Sequence, residues 1–151
     1  MNKLVFFLCL ICLFSCKSEN VKFYESSILC NKNRLCKDGI VVIVPGAGCS
    51  GCILGIEDFI NRKYNDYSNI TYVFTNIKSR KLLALKMPDV NFELSRNIII
   101  DEKNIFYNMR NKEKIYPCIL FLDNYKIDKI FYVSPSLNIS IEDLLLEYRK
   151  K

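Results

Sequence analysis

Apolar and polar positions follow two different periods along this chain. Val41 to Val44 form an unbroken β-branched run between Asp38-Gly39 and Pro45-Gly46, which predicts a short strand apolar on both faces and therefore central in a sheet. Beyond it, Ile53, Ile56, Phe59, Ile60 and Tyr64 recur at three- and four-residue steps. That spacing makes one apolar helix face, with Glu57, Asp58, Asn61 and Arg62 expected to turn to solvent. Asn69 to Thr75 predicts a second strand, Lys78 to Lys86 a short helix ended by Pro88, and Asn97 to Asp101 a third strand of parallel type. A polar stretch with a helical turn over 104–109 follows. Cys118 to Asp123 and Lys129 to Val133 then pair as a β-hairpin across Asn124-Tyr125-Lys126. Ser140 caps a last helix whose Ile141, Leu144, Leu145 and Tyr148 share a face. Strands alternating with helices predict an α/β fold with a parallel core.

Composition permits one core and narrows the chemistry. Half of the 151 residues are apolar and 13% aromatic, without repeats or low-complexity segments, so 39–151 reads as one domain. The net charge of +6 is spread as single Lys and Arg among acids, which describes a solvated surface rather than a nucleic-acid footprint. The chain contains no histidine, which removes every His-based catalytic arrangement and mixed His/Cys metal sites.

The candidate chemistry lies between the first strand and its helix, in Cys49-Ser50-Gly51-Cys52. A cysteine at a helix N-terminus meets unpaired backbone N–H groups and the positive end of the macrodipole. Both favour the thiolate, the form that attacks disulfides. Cys52, one turn later, stands where it resolves the mixed disulfide.

The N-terminus follows other rules. Lys3 precedes a nearly unbroken apolar stretch from Leu4 to Phe14, too short for a permanent membrane span, so residues 1–15 read as a secretory signal. Leu13-Phe14-Ser15-Cys16 resembles the bacterial lipoprotein signal. That resemblance implies cleavage before Cys16, lipid on its sulfur, and a periplasm-facing anchor in the cell envelope. Lys17 rather than Asp after the lipidated residue favours the outer membrane. Residues 16–38 then form a tether or N-terminal extension. Five cysteines remain for an oxidising compartment: Cys30, Cys36, Cys49, Cys52 and Cys118. Cys30 and Cys36 flank a polar loop that suits a structural disulfide, and a second redox pair or a metal-ligand role stays open. A four-thiolate zinc site from Cys30, Cys36, Cys49 and Cys52 has loose spacing, and no metal is expected.

The order strand, C-x-x-C, helix, strand, helix, strand, Tyr116-Pro117, hairpin and final helix resembles the thioredoxin-like fold, a three-layer sandwich with a central mixed sheet. It is most similar to the bacterial membrane-anchored thioredoxin-like reductases. The resemblance implies that Cys49 and Cys52 are catalytic, that Pro117 is a cis-proline beside them, and that the backbone of Tyr116 meets the substrate. It also implies a disulfide-containing envelope protein as substrate, an upstream electron donor, and no cofactor beyond the redox-active disulfide. Three features depart from the family. Gly48 stands where Trp is common, and Ile43 where thioredoxin has a buried acid, leaving Glu57 or Asp58 as substitutes. Cys118 follows the proline directly, as a core residue or a third thiol near the pair. The alternative to an oxidoreductase is a binding or scaffold module with a permanent Cys49-Cys52 disulfide.

Overall fold

The computed structural model describes residues 17–137 and 140–149. The signal at 1–15 and Cys16 lie outside the described residues. Among the described residues no helix is long and apolar enough to cross a membrane.

The elements run α1 (Glu19–Cys30), a 3-10 turn (Lys32–Arg34), β1 (Ile40–Pro45), α2 (Ser50–Lys63), β2 (Ile70–Thr75), α3 (Arg80–Lys86), β3 (Ile98–Asp101), a 3-10 turn (Lys112–Ile115), β4 (Cys118–Asp123), β5 (Lys126–Tyr132) and α4 (Ile141–Arg149). The five strands form one sheet in the order β3-β2-β1-β4-β5. β1 pairs in parallel with β2, and β2 with β3, whereas β4 runs antiparallel to both β1 and β5. The result is a mixed α/β sandwich, compatible with the thioredoxin-like architecture.

The central position of β1 follows from its composition, since all six of its residues are buried. Alternation along it sends Ile40, Val42 and Val44 into a core with Ile53, Ile56, Phe59 and Ile60 of α2, Leu83 of α3 and Leu144 and Leu145 of α4. Val41 and Ile43 face the other way, into a second core with Tyr24 and Ile28 of α1, Phe106 and Cys118. Each such aliphatic side chain taken from water contributes roughly 1.5–3 kcal/mol.

Two segments take more definite form than the sequence pattern gives them. The stretch expected as a tether or N-terminal extension contains α1, which Ser18 caps and which Ser27 ties to the loop after β3 through Oγ–H donated to Ile105 O at 2.7 Å. Its burial as part of the second core comes from a narrow stripe, Tyr24, Ser27 and Ile28. The expected helical turn over 104–109 is a series of turns held by Asp101, whose carboxylate accepts from the Ile105 and Phe106 N–H groups at 2.9 and 2.8 Å. The hairpin forms across Asn124 and Tyr125, both at positive φ (51° and 62°), with β5 beginning at Lys126.

Candidate functional site

Cys49 is the N-cap residue of α2, and its carbonyl accepts the first helical hydrogen bond, from Ile53 N at 2.9 Å. Cys52 is the third helical residue, and the two sulfurs are joined in a disulfide with Cα atoms 5.3 Å apart. Both cysteines are half-buried, whereas Ser50 and Gly51 between them are exposed. Hence the pair sits at the surface edge of the sandwich, at the positive end of a fourteen-residue helix.

The segment before β4 closes over this end. Cys49 N–H donates to Ile115 O at 2.9 Å. Gly48 adopts φ +152°, and a Cβ there would collide with that same Ile115 carbonyl. A tryptophan at this position would displace the turn, which accounts for the glycine. Ile115, which meets Cys49 through its carbonyl, has an exposed side chain, and Ala47, two residues before Cys49, is exposed as well.

Pro117 lies in this turn as expected, but its isomer does not match. Among the described residues no peptide bond is cis, so Tyr116-Pro117 is trans. Pro117 immediately precedes β4, outside its ladder, and its carbonyl accepts from Val133 N at 2.8 Å. The Tyr116 N–H is taken by Glu113 O at 2.9 Å in the 3-10 turn, which leaves it unavailable to an incoming chain.

The candidate acids are distributed differently from the sequence expectation. Ile43 pairs in register with Cys118 and faces the α1 side, away from α2. Glu57 is buried, contrary to its expected solvent-facing place, because it falls in the stripe between Ile53 and Ile60. Both of its carboxylate oxygens accept from Lys86 Nζ, at 3.0 and 3.1 Å, tying α2 to α3. It lines a cavity with Gly46, Ile77 and Ser79, whereas Cys52 lines a different one. Asp58 is exposed and paired with Arg62 at 2.9 Å.

Cys52 opens instead onto a groove of about 320 Å³ between α2 and α4. Gly51, Cys52, Gly55, Phe59 and Arg62 line one wall; Val133, Ser140, Ile141 and Glu142 line the other. No atom lies within 4 Å of where a Cβ would stand at Gly51 or Gly55, so these glycines keep the wall beside the sulfur open. Sequence spacing gives no sign of Glu142 here, because α4 comes beside α2 only by packing into the same core.

Among the described residues the remaining cysteines, Cys30, Cys36 and Cys118, are free thiols. Cys30 and Cys36 are exposed and not joined, contrary to the pairing considered for them; Cys36 Sγ lies 4.0 Å from Ser68 O. Cys118 is buried on the α1 face, and burial pushes its thiol well above the ordinary range. It sits across the sheet from α2, which removes it from exchange with the pair. Tyr24 and Tyr132 lie near it, and Asn111 Nδ2 donates to Tyr132 Oη at 2.8 Å. Among the described residues no cluster of three or more His, Cys, Asp or Glu has a metal-binding arrangement.

Comparison with protein-family models, with curated proteins and with solved structures returned no match. The fold and the disulfide at the head of α2 are therefore what the chain itself offers for a functional reading.

Proposed function

We propose that the protein is a thiol-disulfide oxidoreductase of the cell envelope that reduces disulfides in a partner protein, with Cys49 as nucleophile and Cys52 as resolving thiol. The observation that carries this reading is the placement of the Cys49-Cys52 disulfide, half-exposed at the N-terminus of α2, where the Cys49 N–H meets the Ile115 carbonyl. A disulfide meant only to hold the fold gains nothing from lying at the positive end of a helix, where the thiolate is favoured.

In the reduced protein the Cys49 thiolate attacks one sulfur of the partner disulfide, and a Cys49-partner bond forms as the partner bond breaks. Cys52 then attacks Cys49 Sγ, closes the intramolecular disulfide and releases the partner dithiol; two electrons have passed to the partner. An upstream dithiol donor reloads the pair, and no cofactor is required. The exposed apolar residues Ala47 and Ile115, on the two segments that meet at Cys49, suit a partner cysteine flanked by apolar residues. Lipid on Cys16 would hold the domain at the periplasmic side of the envelope, with the outer membrane favoured.

A second reading is a scaffold module with a permanent disulfide. It is supported by the engaged Tyr116 N–H and by the apolar Ile43 where an acid would be useful. Insulin-disulfide reduction driven by dithiothreitol separates the two. The oxidoreductase reading expects turnover that Cys49→Ser reduces to the uncatalysed rate; equal rates for both proteins would favour the scaffold.

A further inference from the structure

We infer that Glu142, on the first turn of α4, takes the proton of Cys52 when that thiol resolves the mixed disulfide; this rests on the oxidoreductase reading above. A thiol that attacks a disulfide must first lose its proton, because the thiolate is the nucleophile. Cys52 is half-buried and needs a nearby acceptor or open water.

The structure removes the obvious acceptors and leaves one. Ile43 is apolar and faces the opposite side of the sheet. Glu57 is held by Lys86 at 3.0 Å on the α3 flank. Asp58 is exposed, pairs with Arg62, and does not line the groove. Glu142 lines the same groove as Cys52. Its neighbour Asp143 is engaged locally, accepting from Ser140 Oγ at 2.6 Å while its own N–H donates back to Ser140 Oγ at 3.0 Å.

The charged and titratable groups facing this groove are few. From α2 they are Cys52 and Arg62, the latter paired with Asp58; from α4, Glu142; and Val133, after β5, brings no charge. The glycines at 51 and 55 leave the path between the two walls unobstructed.

The step balances as follows. The Cys52 thiol transfers its proton to the Glu142 carboxylate, and the thiolate pair forms the Cys49-Cys52 bond as the Cys49-partner bond breaks. The partner sulfur leaves with the bonding pair and is protonated by the carboxyl of Glu142 or by water. Two electrons pass from the dithiol to the partner disulfide, which is the oxidant.

Ellman's reagent reads the two halves separately, because each half releases one thionitrobenzoate. The full chain would carry Cys9→Ser, Cys12→Ser, Cys16→Ser, Cys30→Ser and Cys36→Ser, so that Cys49 and Cys52 are the accessible thiols. The proposal expects Glu142→Gln to slow the second release roughly ten- to a hundredfold at neutral pH and to move the pH midpoint of that step upward. The first release, from attack by Cys49, keeps its rate, which also reports an intact fold. Glu142→Asp restores most of the second step. An unchanged second-step pH profile in Glu142→Gln overturns the role of Glu142 and leaves the redox pair standing. Absence of a second release in the parent protein overturns both.

Discussion

The two faces of the sheet carry the same residue type to opposite ends. On the α2 side, Cys49 and Cys52 occupy the first turn of a helix, half-exposed beside an open groove. On the α1 side, Cys118 is sealed among Tyr24, Leu120 and Phe106, and burial raises its pKa. Cysteine reactivity thus depends on whether the sulfur meets a helix N-terminus and solvent or an apolar interior. The same contrast orders the acids. Glu57 is buried and spent on a structural tie to Lys86, whereas Glu142 faces an open groove.

The sharpest way to break the comparison is to exchange the roles of the thiols. Cys49→Ser is expected to abolish insulin reduction, whereas Cys118→Ala leaves the rate within about twofold, since it lies across the sheet from the pair. Comparable losses in the two variants would show that Cys118 takes part.

The next effect is on stability. Ile28 in α1 and Ile56 in α2 are both fully buried, at 0% exposure. Truncation to Ala should cost about 2–5 kcal/mol at either site in denaturant unfolding. A negligible cost for Ile28→Ala would mean that α1 is an appendage rather than a wall of the second core.

Lys86→Met leaves the Glu57 carboxylate buried without its cation. A fully buried broken pair costs roughly 3–5 kcal/mol, but Lys86 keeps half of its side chain in solvent, so about 1–2 kcal/mol is expected in the same measurement. Insulin reduction should persist in this variant, because Glu57 lines a different cavity from Cys52.

The smallest effect is the pH dependence of the sealed face. Burial raises the Cys118 thiol above its ordinary 9.0 and the phenols of Tyr24 and Tyr132 above 10.0, Tyr132 to about 12. These groups keep their protons in the folded state where the unfolded chain has lost them. The native state then binds more protons, and stability falls as pH rises. Stability against urea should therefore be insensitive to these groups below about pH 8 and decline from there into the alkaline range. In Cys118→Ala the decline should begin later, near the unfolded phenol range; an identical onset would remove Cys118 from the account.

Much of this was legible in the sequence where local pattern decides structure. Val41 to Val44 announced a central strand because both faces of β1 are covered, and Ile53, Ile56, Phe59 and Ile60 announced the buried face of α2. The C-x-x-C was placed correctly at a helix start for the same reason. What periodicity missed depends on partners distant in sequence. Glu57 lies within the apolar stripe, and its burial requires Lys86 from another helix. Cys30 and Cys36 are close in sequence, but the α1 terminus and its 3-10 turn leave them unjoined. α1 itself shows only Tyr24, Ser27 and Ile28 as its packed stripe, too narrow a signal among its polar residues to distinguish a packed helix from a tether. The Pro117 isomer followed from resemblance, and the structure shows it trans.

The most direct test of the central claim is a redox titration of the Cys49-Cys52 pair in dithiothreitol buffers, with thiol trapping and circular dichroism at each point. The account predicts reversible two-electron opening and closing, absent in Cys49→Ser, while the folded spectrum is retained. A disulfide that opens only as the protein unfolds would contradict it and identify the pair as a structural staple.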